Sequence, residues 1–243
     1  MNIKYGKQFV IVALLVSNPT VSHAEWHGTV TFMTNNVGRW FTKSNNDLAV
    51  KANLDYQHAS GWFVGSSANN VNYDNQGQPG AANTEIMPYA GWSFKLPDDL
   101  RLDVQWSRYL FDGQIFARSS DYNEFYLFLH YKNLLTARIS ASEDYYGLGN
   151  YVLDYELTGR YPITEHLEFS ASAGFSQTSP ALGSDYPYWN AGMTYYYQFI
   201  SLDLRYMDAT ETGINPVTAD KLHELYDPPV ISATCVFSIS MGF

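Results

Sequence analysis

Residues 235–243 read CVFSISMGF, and apolar side chains alternate with small or polar ones almost from end to end. Cys235, Phe237, Ile239, Met241 and Phe243 fall on one side; Val236, Ser238, Ser240 and Gly242 fall on the other. Successive side chains of a strand point to opposite faces, so this stretch predicts a strand with one oily face and one small, polar face. The same period recurs upstream. Leu48, Val50, Ala52, Leu54 and Tyr56 alternate with Ala49, Lys51, Asn53 and Asp55, and Leu100, Leu102, Val104 and Trp106 alternate with Arg101, Asp103, Gln105 and Ser107.

Twelve such segments can be drawn: 26–35, 48–57, 61–72, 84–96, 99–110, 122–131, 134–144, 149–161, 166–176, 187–198, 200–209 and 231–243. Each is about ten residues long, the length a tilted strand needs to cross a bilayer. The gaps alternate in kind. Those at 57–61, 97–98, 132–133, 162–165 and 199 are short, whereas those at 36–47, 73–83, 111–121, 145–148, 177–186 and 210–230 are generally longer and polar. Short turns at one end and longer loops at the other are the anatomy of a transmembrane up-and-down β-barrel, and an even strand count closes it without an edge. The fold class expected is therefore all-β, an antiparallel barrel of about twelve strands. Pro88, inside the fourth segment, can donate no ladder bond; a bulge or a later strand start is expected there.

The other end of the chain points the same way. Lys4 and Lys7, the apolar run 9–16 and the small residues of Ser22-His23-Ala24 form a secretory signal with cleavage after Ala24. That divides the chain into 1–24, signal peptide, and 25–243, barrel. The mature chain keeps 12 basic residues against 24 acidic ones, which argues against nucleic acid or an anionic surface as partner. The single cysteine, Cys235, can form no internal disulfide. Tyr56, Trp62, Trp92, Phe94, Tyr131, Tyr161 and Tyr197 gather beside the short turns, as an aromatic girdle would at headgroup depth.

The terminal strand resembles the closing strand of bacterial outer-membrane barrels. That resemblance implies an assembly signal on Phe237, Ile239, Met241 and Phe243 that the barrel assembly machinery would read. More closely, the order of segments is similar to the TorF family of porins, proteobacterial outer-membrane β-barrel proteins whose function is not established. The stretches that carry the likeness are NNVGRWFTKSNNDLAVKANLDY, HASGWFVGSSANNVNY, TEIMPYAGWSF, DLRYMDA and VFSISMGF, with the GWFVGSSANNV hairpin and the TEI-x-x-YAGWS strand matching best. The likeness spans essentially the mature chain. It implies the cell outer membrane, a lipid surround and a porin's role; the Asp that the family's pattern places after Glu-Ile is Met87 here.

The chain contains no HExxH, GxSxG, P-loop or CxxC pattern, and no cofactor is implied. His27, His58, His130, His166 and His223 are scattered. His130 is expected to face inward beside Glu124, which leaves an outer-membrane enzyme as a third reading. His223, Glu224 and Asp227 are better explained as a solvated acidic loop than as metal ligands. The polar faces predict a charged lumen lined by Lys51, Asp55, Glu85, Lys95, Arg101, Asp103, Glu124, Arg138, Asp154, Glu156, Arg160, Glu168, Asp203 and Arg205. Enclosed charges must pair or stay wet. Either they line a narrow pore for small polar or ionic solutes, weakly favouring cations, or they pair across the interior and seal it. Twelve strands lie between barrels filled by side chains and barrels with open channels. The small inward residues Ser67, Ser140, Ser170, Ser172, Gly174, Gly192, Thr194, Ser232 and Ser238 tilt the balance towards a pore. The alternative is a non-conducting structural or surface-interaction barrel. The 210–230 loop, stiffened by Pro216, Pro228 and Pro229, could constrict the lumen or stand outside it, and no feature marks a flat subunit contact of the kind a trimer needs.

Overall fold

A computed structural model describes residues 25–73, 80–115, 118–213 and 230–243. Residues 1–24, where a signal peptide is expected, lie outside the described residues. So do Pro216, His223, Glu224, Asp227, Pro228 and Pro229.

In chain order the strands are β1 Glu25–Met33, β2 Val37–Gly38, β3 Phe41–Thr42, β4 Ala49–Gln57, β5 Trp62–Asn70, β6 Thr84–Lys95 and β7 Leu100–Phe111. There follow β8 Gln114–Ile115, β9 Arg118–Ser119, β10 Tyr122–Tyr131, β11 Leu135–Ser142, β12 Val152–Pro162 and β13 Leu167–Gln177. The last three are β14 Tyr186–Tyr197, β15 Ile200–Ala209 and β16 Thr234–Gly242. Twelve of them close into one antiparallel barrel in the order β1-β16-β15-β14-β13-β12-β11-β10-β7-β6-β5-β4. Every barrel strand therefore lies beside its neighbours in sequence, and β1 meets β16 at the closing seam. The two-residue pairs β2-β3 and β8-β9 belong to the long-loop end.

The alternation that predicts the strands also sets their faces. Val104, Trp106, Leu127, Leu129, Ile139, Leu157, Met193, Leu204 and Ile239 are exposed on the outer surface, while Asp103, Ser107, Glu124, Ser140, Asp154 and Ser240 are buried inside. A continuous apolar belt of this extent is far larger than the patches that water-soluble surfaces carry. The aromatic side chains at the short-turn end cluster, with Tyr56 tilted against both Trp26 and Trp62 at 5.1 and 5.3 Å between ring centroids. The turn Asp98-Asp99 places both residues in the left-handed region, the primed geometry whose twist matches flanking strands.

Pro88 does not behave as the sequence suggests. β6 runs straight through it, with Ser66 opposite Pro88 on the β5 side. On the β7 side, Ile86 faces Leu110 and Tyr89 faces Ser107, two residues intervening on each strand. There is neither a bulge nor a late start. The ladder opens for two residues while register is kept, because the imide nitrogen has no proton to donate towards β7.

The long-loop end is roofed by an aromatic core. Trp40, Phe41, Tyr73, Tyr109, Tyr122, Tyr145, Tyr146, Tyr186 and Tyr188 pack with Val71, Ile115, Val152 and Leu182, and Met87 and Phe111 pack against them. Full burial of a large apolar side chain contributes about 1.5–3 kcal/mol, so this roof is strongly held.

Candidate functional site in the barrel lumen

The inward carboxylates and guanidiniums form two groups at different depths. Near the short turns, Asp103 accepts from Ser93 Oγ at 2.6 Å and pairs with Arg101 Nε at 3.2 Å. His130 lies between Asp103, 3.1 Å from Nε2, and Thr136, 3.0 Å from Nδ1, and Thr136 also accepts from Arg160 at 3.1 Å. Expected beside Glu124, His130 is instead held by these neighbours. Arg205 donates to Asn190 at 2.7 Å and Ser170 at 2.8 Å and pairs with Asp203 at 3.1 Å. Asp55 binds His27 at 3.3 Å and Asn53 at 3.0 Å. Glu168 is half-buried on the inward face of β13, opposite Thr194, and Lys95 is solvent-exposed at the rim, opposite Arg101.

The deeper group sits under the aromatic roof. Arg138 Nη2 meets Glu156 at 3.1 Å and Tyr188 OH at 3.0 Å. Glu85 is paired with Lys43 at 2.7 Å. Lys51 faces inward from β4, opposite Thr31 and Asn69. Glu124 accepts from Tyr126 OH at 2.6 Å and from Ser140 Oγ at 2.7 Å, and Tyr126 OH meets Tyr109 OH at 2.6 Å. Asp154 accepts from Ser176 Oγ. Of the small residues expected to face inward, Ser232 instead lies exposed outside β16.

At the centre of this group is a residue that strand periodicity could not find. Arg39 belongs to the turn between β2 and β3, in the first long loop. Its guanidinium pairs with Glu124, with Asp154 at 2.9 Å, and donates to Ser140 Oγ at 3.0 Å. The loop leaves β1 and returns in β4; the contacts lie on β10, β11 and β12, and β11 is six strands from β1 in either direction round the barrel. Arg39 thus crosses the whole lumen. Beside it, Trp40 stacks on Tyr186 at 3.7 Å between centroids and is 1% exposed. The backbone at Arg39 is left-handed, with φ 59°, a conformation that costs a non-glycine residue about 1–3 kcal/mol. In the sequence the only trace of this role is a lone Arg between Gly38 and Trp40.

No group of three or more His, Cys, Asp or Glu side chains with metal-binding geometry occurs among the described residues. A family model described as a bacterial protein of unknown function (Gcw_chp) matches residues 18–241. The chain belongs to the Gcw_chp family. No curated protein matches the sequence. The Gcw_chp barrel is similar to a solved KdgM porin, with a TM-score of 0.54 at 8% identity over 89% of this chain and 98% of that one. A KdgM porin in complex with disordered oligogalacturonate gives 0.53 at 8% identity over 91% and 98%. At such identity the likeness is one of fold: the Gcw_chp chain has the architecture of outer-membrane porins.

Proposed function

We propose that this protein is an outer-membrane porin that passes small polar or ionic solutes through a narrow, charged lumen. One observation carries the reading: a closed barrel turns large apolar side chains outward and carboxylates and guanidiniums inward. Hydrocarbon is the partner that the outer belt fits, and the aromatic side chains at the short-turn end fit a headgroup layer. The finer likeness to the TorF porins, carried by residues 61–71 and 84–94, and the export signal in 1–24 support the same location. In that setting the short turns are periplasmic, and Phe237, Ile239, Met241 and Phe243, all outward on β16 or just beyond it, are what the assembly machinery would read.

The rival reading is a non-conducting barrel, and the Arg39 strut across the lumen is what favours it. An outer-membrane enzyme would need hydrolysis that depends on His130. Purified protein in a planar bilayer separates the first two: discrete conductance steps are expected, and a silent bilayer despite verified insertion overturns the porin.

A further inference from the structure

The pocket that holds Arg39 is built by the barrel wall, not by the loop. Glu124, Tyr126, Ser140 and Asp154 come from three adjacent strands and converge on one guanidinium. Glu124 and Asp154 are 1% and 0% exposed, and Arg39 is the cation within salt-bridge distance of each among the described residues. The two carboxylates take different nitrogens of the fork, Nη2 and Nη1. That spacing suits a planar, branched donor better than a point charge.

Two polar atoms at this end of the lumen stand without partners. Ser142 Oγ, on the inward face of β11 one step beyond Ser140, is buried and has no hydrogen-bond partner among the described residues, and the same is true of Trp40 Nε1. Buried polar atoms without partners are uncommon in a finished interior. The approach from the long-loop end is aromatic, and it already holds one cation: the Lys43 ammonium lies 5.3 Å from the centre of the Tyr109 ring. The occupant itself sits in a backbone conformation that favours glycine, on a hairpin whose Trp40 and Phe41 are seated in the aromatic roof.

We infer that the Glu124–Asp154 wall is a recognition site for a solute bearing a guanidinium group, and that Arg39 is its tethered stand-in. The solute displaces the Arg39 side chain from the two carboxylates and opens the lumen at that depth, while Trp40 and Phe41 of the hairpin stay seated in the roof. This deepens the channel reading and rests on it.

The test uses the barrel in lipid nanodiscs with Cys235→Ala and Ser107→Cys. Ser107 is fully buried, lies opposite Glu124 on β7 and takes no part in holding Arg39. Labelling by an impermeant maleimide is measured with L-arginine or with L-citrulline, which replaces the guanidinium by a neutral urea. Arginine should speed labelling at least tenfold and saturably, and citrulline should not. The triple variant Arg39→Ala, Glu124→Gln, Asp154→Asn, which leaves no carboxylate unpaired, should label fast without solute and ignore arginine. Equal effects of the two solutes, or fast labelling of the parent without either, overturn the inference; the arginine arm needs no latch variant to fold. Conductance of the same protein is read separately. Arginine-dependent labelling over a silent bilayer keeps the site and removes the porin, whereas conductance with arginine-independent labelling does the reverse.

Discussion

Phe63 is a large apolar side chain on the inward face of its strand, 1% exposed, with its ring against β6. Room for it comes from Gly91, where an added Cβ would lie 2.3 Å from the Phe63 ring and 2.4 Å from the Val104 carbonyl oxygen. Phe63→Ala should cost about 3–5 kcal/mol. Gly91→Ala should also destabilise, and by less once Phe63 is truncated, though not by nothing, because the Val104 oxygen remains. Urea unfolding in lipid vesicles, followed by tryptophan fluorescence, measures the cycle. Fully additive costs would mean that the ring and the glycine do not constrain each other. Met87 also faces inward, and it packs against the aromatic roof. A carboxylate there would be buried among apolar and aromatic side chains, which disfavours its charge.

Strand positions were legible because each element has a face to bury and a face to wet. The expected 122–131 and 200–209 coincide with β10 and β15, and the ends of the other strands differ by no more than three residues. Where ends moved, the cause is local. β16 begins at Thr234 rather than 231 because Ala233 is left-handed, with φ 45°, and the Ile231 amide bonds the Trp40 carbonyl. β5 stops at Asn70 because Val71 and Asn72 turn to bond Asn83 and Lys43 of neighbouring loops. Replacing Pro88 by Ala should close the gap in the β6-β7 ladder without changing register. The new amide at 88 should then exchange slowly with deuterium, whereas exchange at the rate of an open loop would show that the strands are splayed there for another reason. Just beyond β7, Asp112 accepts from the amides of Asn83 at 2.8 Å and Thr84 at 2.9 Å and so fixes the start of β6. Slight burial pushes its carboxyl up, but the bonds from Thr84 and Asn83 outweigh this and hold it below the usual carboxylate range. A depressed folded value means that this tie is complete above the ordinary carboxylate pKa and is lost as pH falls through the lower, folded one. The NMR titration midpoint of Asp112 should lie below that of free aspartate; a midpoint at or above it would remove the tie.

At the scale of the molecule, periodicity reveals walls and not what stands between them. The inward charges could be read from alternate strand positions, but Arg39 could not, because a loop residue has no face until the loop has folded. The sequence therefore tilted towards an open pore on its small inward residues, and the loop residue that spans the lumen carried no weight in that balance. What the walls do decide is the medium outside, since the outer belt meets either hydrocarbon or water and the two respond differently to charge. Leu127 is outward and mid-strand, opposite Val104 and Ile139; Leu135 is outward beside the short turn 132–133. An arginine at the bilayer midplane of a barrel costs about 2–4 kcal/mol, falling to about 0–1 near the interface. Leu127→Arg should therefore destabilise the barrel in vesicles by the larger amount and Leu135→Arg by the smaller, read from urea unfolding in lipid. Both losses should shrink towards zero in a medium that wets the belt. Equal, small costs at the two depths would mean that hydrocarbon does not cover this surface, and transport through the barrel would lose its basis.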